Sequence, residues 1–168
     1  MAEFLWIFWS FSLLGWGLER LFAAVTRSPQ RRRRCLLLLP LCPVYGLGMA
    51  AVLALPPSLR SGWPLYLWGG LTATSVEYIY HWWGETFLSV SFWDYTGVFG
   101  NLRGRVCLPF SLAWGLLLFP AVYLVTPPVL ALADRVPVGV TWWLLLAFTA
   151  DAVCSLRFLA VTHDLDCL

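Results

Sequence analysis

The stretch Leu108-Pro109-Phe110-Ser111-Leu112-Ala113-Trp114-Gly115-Leu116-Leu117-Leu118-Phe119-Pro120-Ala121-Val122-Tyr123-Leu124-Val125 carries no charge. At roughly 1.5 Å per residue a helix of this length crosses most of a ~30 Å hydrocarbon layer. Its apolar residues are continuous, where a membrane-spanning strand would alternate. Working outward, residues 4–25, 35–55, 63–83 and 138–160 read the same way as 108–125. The composition agrees: 60% of the 168 residues are hydrophobic and 12% charged, with a mean hydropathy of +0.75. Soluble domains carry about 25% charge, so a disordered chain, a nucleic-acid-binding domain and an ordinary soluble enzyme are excluded. The expectation is an all-α integral membrane protein, one transmembrane domain over residues 1–168, with five transmembrane helices and membrane lipid as its solvent.

The connections are punctuated by proline and arginine. Residues 26–34 hold Ser28-Pro29 and the run Arg31-Arg32-Arg33-Arg34; Pro56-Pro57 closes the second span, Pro127-Pro128 the fourth, and Pro137 precedes the fifth. Residues 84–107 are the exception, too charged to span and too apolar for a free loop. They read as a re-entrant or interfacial segment between the third and fourth spans, since irregular backbone at membrane depth must be buried in protein or line a wet cavity. The first apolar run lacks a basic leader and contains Glu19-Arg20, so it reads as a span and not a cleaved signal.

Arginine placement sets the orientation. With the N-terminus outside, Arg20, Arg27, Arg31 to Arg34, Arg103, Arg105 and Arg157 fall inside, nine in all, and Arg60 and Arg135 outside. The C-terminus is then cytoplasmic. All eleven basic residues are Arg. Without Lys there is no P-loop, so the chain is not itself an ATPase, and no Schiff base. The five Cys form no CxxC, which removes zinc-knuckle and thioredoxin chemistry. Cys35 and Cys154 read as buried free thiols. No cofactor is expected, and no catalytic motif decides for or against an enzyme.

Ionisable groups inside a span cost roughly 2.5–3.5 kcal/mol each. Glu19, Glu77 and Asp151 are such groups, lying ~7, ~6 and ~3 Å past their helix midpoints on the inner side. One shared polar pocket in the inner half is the expectation, with Glu85, Asp94, Asn101, Arg103 and Arg105 attached on the same side. The plainer account is structural ion pairs and interhelical hydrogen bonds. Glu77, His81 and Glu85, at i, i+4 and i+8, share a helix face if the helix continues past Gly84; carboxylate–imidazole–carboxylate makes a weak divalent-metal candidate. Asp151 and Ser155 are also i, i+4. Ser111 and Gly115 form a small-xxx-small pair suited to close helix packing. Cys107 follows Arg105, whose guanidinium would favour a thiolate. Trp63 and Trp142-Trp143 read as interface anchors.

A longer pattern runs through these residues. Phe11, Gly15-Trp16 and Glu19 are followed by Pro40, Pro43-Val44-Tyr45-Gly46 and Gly48, then Glu77-Tyr78 and Glu85. Next come Trp93-Asp94-Tyr95, Asn101, Gly104-Arg105-Val106-Cys107-Leu108, Ser111 and Trp114-Gly115, and last Asp151 and Ser155. This resembles the bacterial ABC-transporter type IV permease family, which has small vertebrate transmembrane relatives, over roughly residues 4–157. Thr96 stands where the family usually has Ser, and His81 where it commonly has a small residue. The resemblance implies a permease partnered by an ATPase. Five spans are few for a transport path, so a homo-oligomer or partner is implied too. The first reading is a permease-like protein with a carboxylate-lined cavity open to the cytoplasm, binding or moving a small polar, cationic or lipid-like substrate. Rival readings are a small intramembrane enzyme acting on a lipid or isoprenoid, with Cys107 as candidate nucleophile, and a structural scaffold.

Overall fold

A computed structural model describes residues 2–26 and 35–165. Arg27, the Arg31 to Arg34 run and Cys167 lie outside the described residues. Five helices carry the fold: α1 (Ala2–Thr26), α2 (Pro43–Leu53), α3 (residues 62–88), α4 (Leu108–Arg135) and α5 (Val138–Thr162). A short 3-10 turn, Pro57–Leu59, joins α2 to α3. No strand occurs among the described residues, where Leu102 and Val106 form one isolated bridge.

Among the described residues, α4 and α5 are the two helices both long and apolar enough to cross a membrane by length and composition. α1 has the length, 25 residues, but Glu3, Glu19, Arg20 and three Trp dilute its hydropathy. α3 is diluted in the same way by Glu77, His81, Glu85 and its tyrosines.

The second expected span, 35–55, is not a continuous helix. Helix occupies only Pro43–Leu53, 11 residues, about 16 Å of rise and too short to cross. Pro43 is the reason for the start: its fixed φ suits a first helical turn and its missing N–H costs nothing there. Residues 36–40 run as bends upstream of it. The other two changes are extensions. α3 continues past Gly84 as a π-turn, Gly84–Leu88, and stops at Ser89, whose φ of 56° is left-handed. α4 runs through Pro120 and Pro127-Pro128 to Arg135, with a π-turn at Ala121–Val125. The prolines remove backbone donors; at the π-turn before them the Ala121 carbonyl accepts both the Thr126 N–H and, at 2.8 Å, the Thr126 hydroxyl.

α1 packs on α2, α2 on α3, α3 on α4, and α1 again on the Thr126–Arg135 half of α4. Ile7, Phe11, Met49, Val52, Leu65 and Leu118 form the core where these four meet. Glycines bring α3 and α4 together: a Cβ on Gly70 would sit 3.2 Å from the Gly115 Cα, and one on Gly115 2.9 Å from the Tyr66 carbonyl oxygen. A second core, Leu36, Leu37, Leu88, Val90, Phe92 and Leu159, lies at the other end of the helices. There the two irregular segments, 35–42 and 89–107, pack with α5.

Cys35 and Cys42 are joined as a disulfide across the first of these segments, so Cys35 is one half of a cysteine pair and not the isolated buried thiol expected. Cys154 is free but exposed, and Cys107 is free and buried. Trp63 is 70% exposed, Trp142 53% and Trp143 74%.

Candidate functional site

A cavity of about 300 Å³ lies between α1, α2, α3 and α4. Most of its wall is apolar, and its polar groups form a connected chain. Tyr45, one turn into α2, donates its hydroxyl to Glu19 Oε1 of α1 at 2.7 Å. The Tyr45 ring meets Trp114 of α4 edge to face at 5.5 Å. Trp114 Nε1 donates to Glu77 Oε2 at 2.9 Å, and the Tyr95 hydroxyl to Glu77 Oε1 at 3.0 Å. Glu77 is 6% exposed. Hydrogen bonds from neutral donors to a carboxylate are worth about 1.5–3 kcal/mol each, which offsets much of the cost of holding the group out of water. Tyr45 is positioned by Gly15: any Cβ there would overlap the Tyr45 ring.

Beside the cavity a second polar cluster centres on Arg105. Its Nε donates to Glu85 Oε2 at 2.7 Å and its Nη1 to the Tyr78 hydroxyl at 2.8 Å. Trp93 joins the two clusters, lining the cavity while its Nε1 donates to the Arg105 carbonyl at 2.7 Å. His81 is 1% exposed. Its Nε2 lies 3.2 Å from both Glu85 Oε1 and Ser91 Oγ, and its buried Nδ1 has no partner among the described residues. In a Ser–His–carboxylate relay the serine and carboxylate engage opposite ring nitrogens. Here both fall on one nitrogen, so the cluster is not arranged as such a relay.

The structure thus divides the residues singled out by sequence. Glu19, Tyr45, Glu77, Trp93 and Tyr95 line the cavity. Glu85 and Arg105 pair in the adjoining cluster. Asp94 and Asn101 shape the 89–107 segment. Asp94 Oδ1 accepts the Thr96 N–H at 2.8 Å and also the Thr96 hydroxyl, so threonine makes the contact that serine would make. That hydroxyl, and then the N–H, hold the Asp94 carboxyl below its ordinary pKa. Asn101 Oδ1 accepts the Gly104 N–H at 3.3 Å and its Nδ2 donates to the Val98 carbonyl at 3.0 Å. Ser111 Oγ donates to the Cys107 carbonyl at 3.0 Å, in the first turn of α4. Cys107 itself is 1% exposed.

Asp151 does not join Glu19 and Glu77 at the cavity, contrary to the expected three-carboxylate pocket. Its Oδ2 accepts the Leu39 N–H, and Ser155 Oγ the Leu38 N–H, each at 3.3 Å. This i, i+4 pair on α5 satisfies backbone donors that the irregular 35–42 segment cannot satisfy itself. Glu77, His81 and Glu85 do follow one another along α3, but Glu77 is bonded to Tyr95 and Trp114 while Glu85 is bonded to Arg105. Among the described residues no three His, Cys, Asp or Glu gather as a metal site. Sequence reasoning missed Met49, Gly48 and the α1 residues Phe11 and Leu14 as lining. Trp114 is part of the motif shared with the family, which is the one sequence signal for it; its contact with Tyr45 and its bond to Glu77 are visible only in the structure.

The chain matches the family described as "Putative ABC-transporter type IV" over residues 6–156. This is most of its length, and the protein belongs to that family, one of ABC-transporter-type membrane proteins. No curated protein and no solved structure matches it.

Proposed function

We propose that the protein is a permease-like inner-membrane subunit that binds, and passes on, a small polar, cationic or lipid-like substrate in the cavity. One observation carries the reading: Glu19 and Glu77, from two helices, stand at one mainly apolar cavity, each fixed by an aromatic donor. Fixed carboxylates in such a cavity orient a substrate's polar end, while the wall accepts its apolar part. The cavity faces the cytoplasm, with the N-terminus outside and the C-terminus inside. Hydrolysis of ATP falls to a partner subunit, because a chain without Lys cannot build a P-loop. A small bundle of this kind acts as a homo-oligomer or with that partner.

Native mass spectrometry of the complex, gently extracted from its own host, tests this. The expected result is a stoichiometric ATPase companion, and a Glu77→Gln variant that keeps the assembly but loses ATP-dependent substrate flux. A lone chain with no companion and no flux overturns the reading in favour of the enzyme or scaffold.

A further inference from the structure

We propose that the cavity houses the apolar chain of a lipid-like amphiphile, which enters sideways from the bilayer between α1 and α4. This rests on the permease reading of the same cavity and names the class of molecule it takes. Three observations converge on it.

The first is the wall. Apart from Glu19, Glu77 and their aromatic donors, the lining is aliphatic or aromatic carbon, as at Phe11, Met49, Ala73, Leu118 and Val125. At about 300 Å³ the space falls at the low end of ligand pockets, which run from roughly 300 to 1,000 Å³. It suits one chain and not a whole two-chain lipid.

The second is the opening. Leu14, Leu18 and Leu117 line the cavity and are also 52%, 39% and 44% exposed. The space is therefore continuous with the outer surface along α1 and α4. The two helices touch on either side of it. Phe22 meets Phe110 edge to face at 6.0 Å, and α1 packs on Thr126–Arg135 further along. What lies between is a side window, rimmed by leucine. On spanning helices that rim faces acyl chains, so an apolar chain reaches the cavity without crossing water.

The third is Gly48. It is buried on α2 and lines the cavity, yet a Cβ built on it meets nothing within 4 Å. Gly15 and Gly46 differ, since a Cβ at either would strike Tyr45 or Phe8 and Ser12. Glycine inside a helix is less favourable than alanine. At Gly48 no neighbour among the described residues demands it; the space it leaves belongs to the cavity.

The test uses the full-length protein, with its partner if one co-purifies, in phosphatidylcholine–phosphatidylglycerol vesicles. One preparation contains a phospholipid with a diazirine in its acyl chain, the other a single-chain diazirine fatty acid. After irradiation, adducts are mapped by mass spectrometry. Adducts are expected on Met49 and Ala73, inside the cavity, as well as on the outward-facing Leu124 and Leu146. Gly48→Leu should reduce the inner adducts at least tenfold and leave the outer ones unchanged, with an undiminished thermal midpoint. Should that variant fold poorly, Ala73→Leu fills the same space from α3. Inner adducts from the phospholipid identify a membrane lipid as occupant; inner adducts from the fatty acid alone identify a free amphiphile. Adducts confined to Leu124 and Leu146 with both probes, or inner adducts unmoved by both fillings, overturn the proposal. Flux separates it from the permease reading. Inner adducts without flux sink only the permease, and flux of a soluble cation without inner adducts sinks only the lipid chain.

Discussion

Glu77 shows what a single buried residue does in this protein. Both its oxygens are engaged, by the Tyr95 hydroxyl and the Trp114 indole. Glu77→Leu removes the acceptor of the buried Tyr95 hydroxyl and of the partly buried Trp114 indole, a loss of about 1–3 kcal/mol for a buried group, so it should lower the thermal midpoint markedly. Glu77→Gln keeps one carbonyl acceptor and should melt closer to the wild type. Equal midpoints for the two variants would show that these bonds do not support the fold. Gly15→Ala tests the neighbouring position. The new methyl must displace the Tyr45 ring, and overpacking of this kind costs about 1–3 kcal/mol. It should also loosen Tyr45 from Glu19, seen as faster rotation of the ring by NMR. Glu19 and Glu77 were legible in sequence because a carboxylate within an apolar run is costly. Their donors were not, since nothing local to Tyr45, Tyr95 or Trp114 says which carboxylate each will face across 26, 18 and 37 residues of chain.

At the scale of elements, the legible parts are the ones whose pattern is local. α1 and α5 fall close to the expected 4–25 and 138–160, because an uninterrupted apolar run of that length has few alternatives in lipid. The misread parts turn on proline and on distant partners. Pro127-Pro128 reads as a stop, yet α4 runs through it to Arg135, after a π-turn at Ala121–Val125. Residues 35–42 looked like half of a span. They are bends whose backbone is satisfied by α5, at a separation of 117 and 112 residues for Leu38–Ser155 and Leu39–Asp151. No local window of sequence contains that information. The consequence is testable by amide hydrogen exchange. Ser155→Ala and Asp151→Ala each remove one acceptor worth ~1 kcal/mol, so exchange at Leu38 or Leu39 should quicken about fivefold. Exchange in α1 should not change. Quickening spread evenly over the whole chain would mean instead that Asp151 and Ser155 merely support the general fold.

At the scale of the molecule, two chemical signals at one end disagree over orientation. The C-terminal ends of α1, α3 and α5 and the N-terminal end of α4 share that end, while α2 starts near mid-depth, where the Cys42 N–H donates to the Ser12 carbonyl of α1 at 2.9 Å. Among described residues that end carries Arg20, Arg103, Arg105 and Arg157, against Arg60 and Arg135 at the other. The positive-inside bias puts it in the cytoplasm. The Cys35–Cys42 disulfide lies in the same half of the bundle, in a small pocket shared with Glu19 and Tyr80, and disulfides persist on oxidising sides of membranes, while cytosolic thiols stay reduced. The order of events decides between them. Arginine bias acts while the helices insert, whereas a disulfide forms only afterwards, in whichever compartment insertion has chosen. The arginine-rich end should therefore be cytoplasmic; the structure records the oxidised form of the pair, and the same two cysteines, their Cα atoms 5.0 Å apart, should be reduced in living cells and join on exposure to air. Acid quenching and alkylation of intact cells should find both as free thiols, and a membrane-impermeant maleimide should label a Ser58→Cys variant from outside. An oxidised pair in cells, together with a Ser58→Cys thiol protected until the membrane is breached, would reverse the orientation and turn the mouth of the cavity outward.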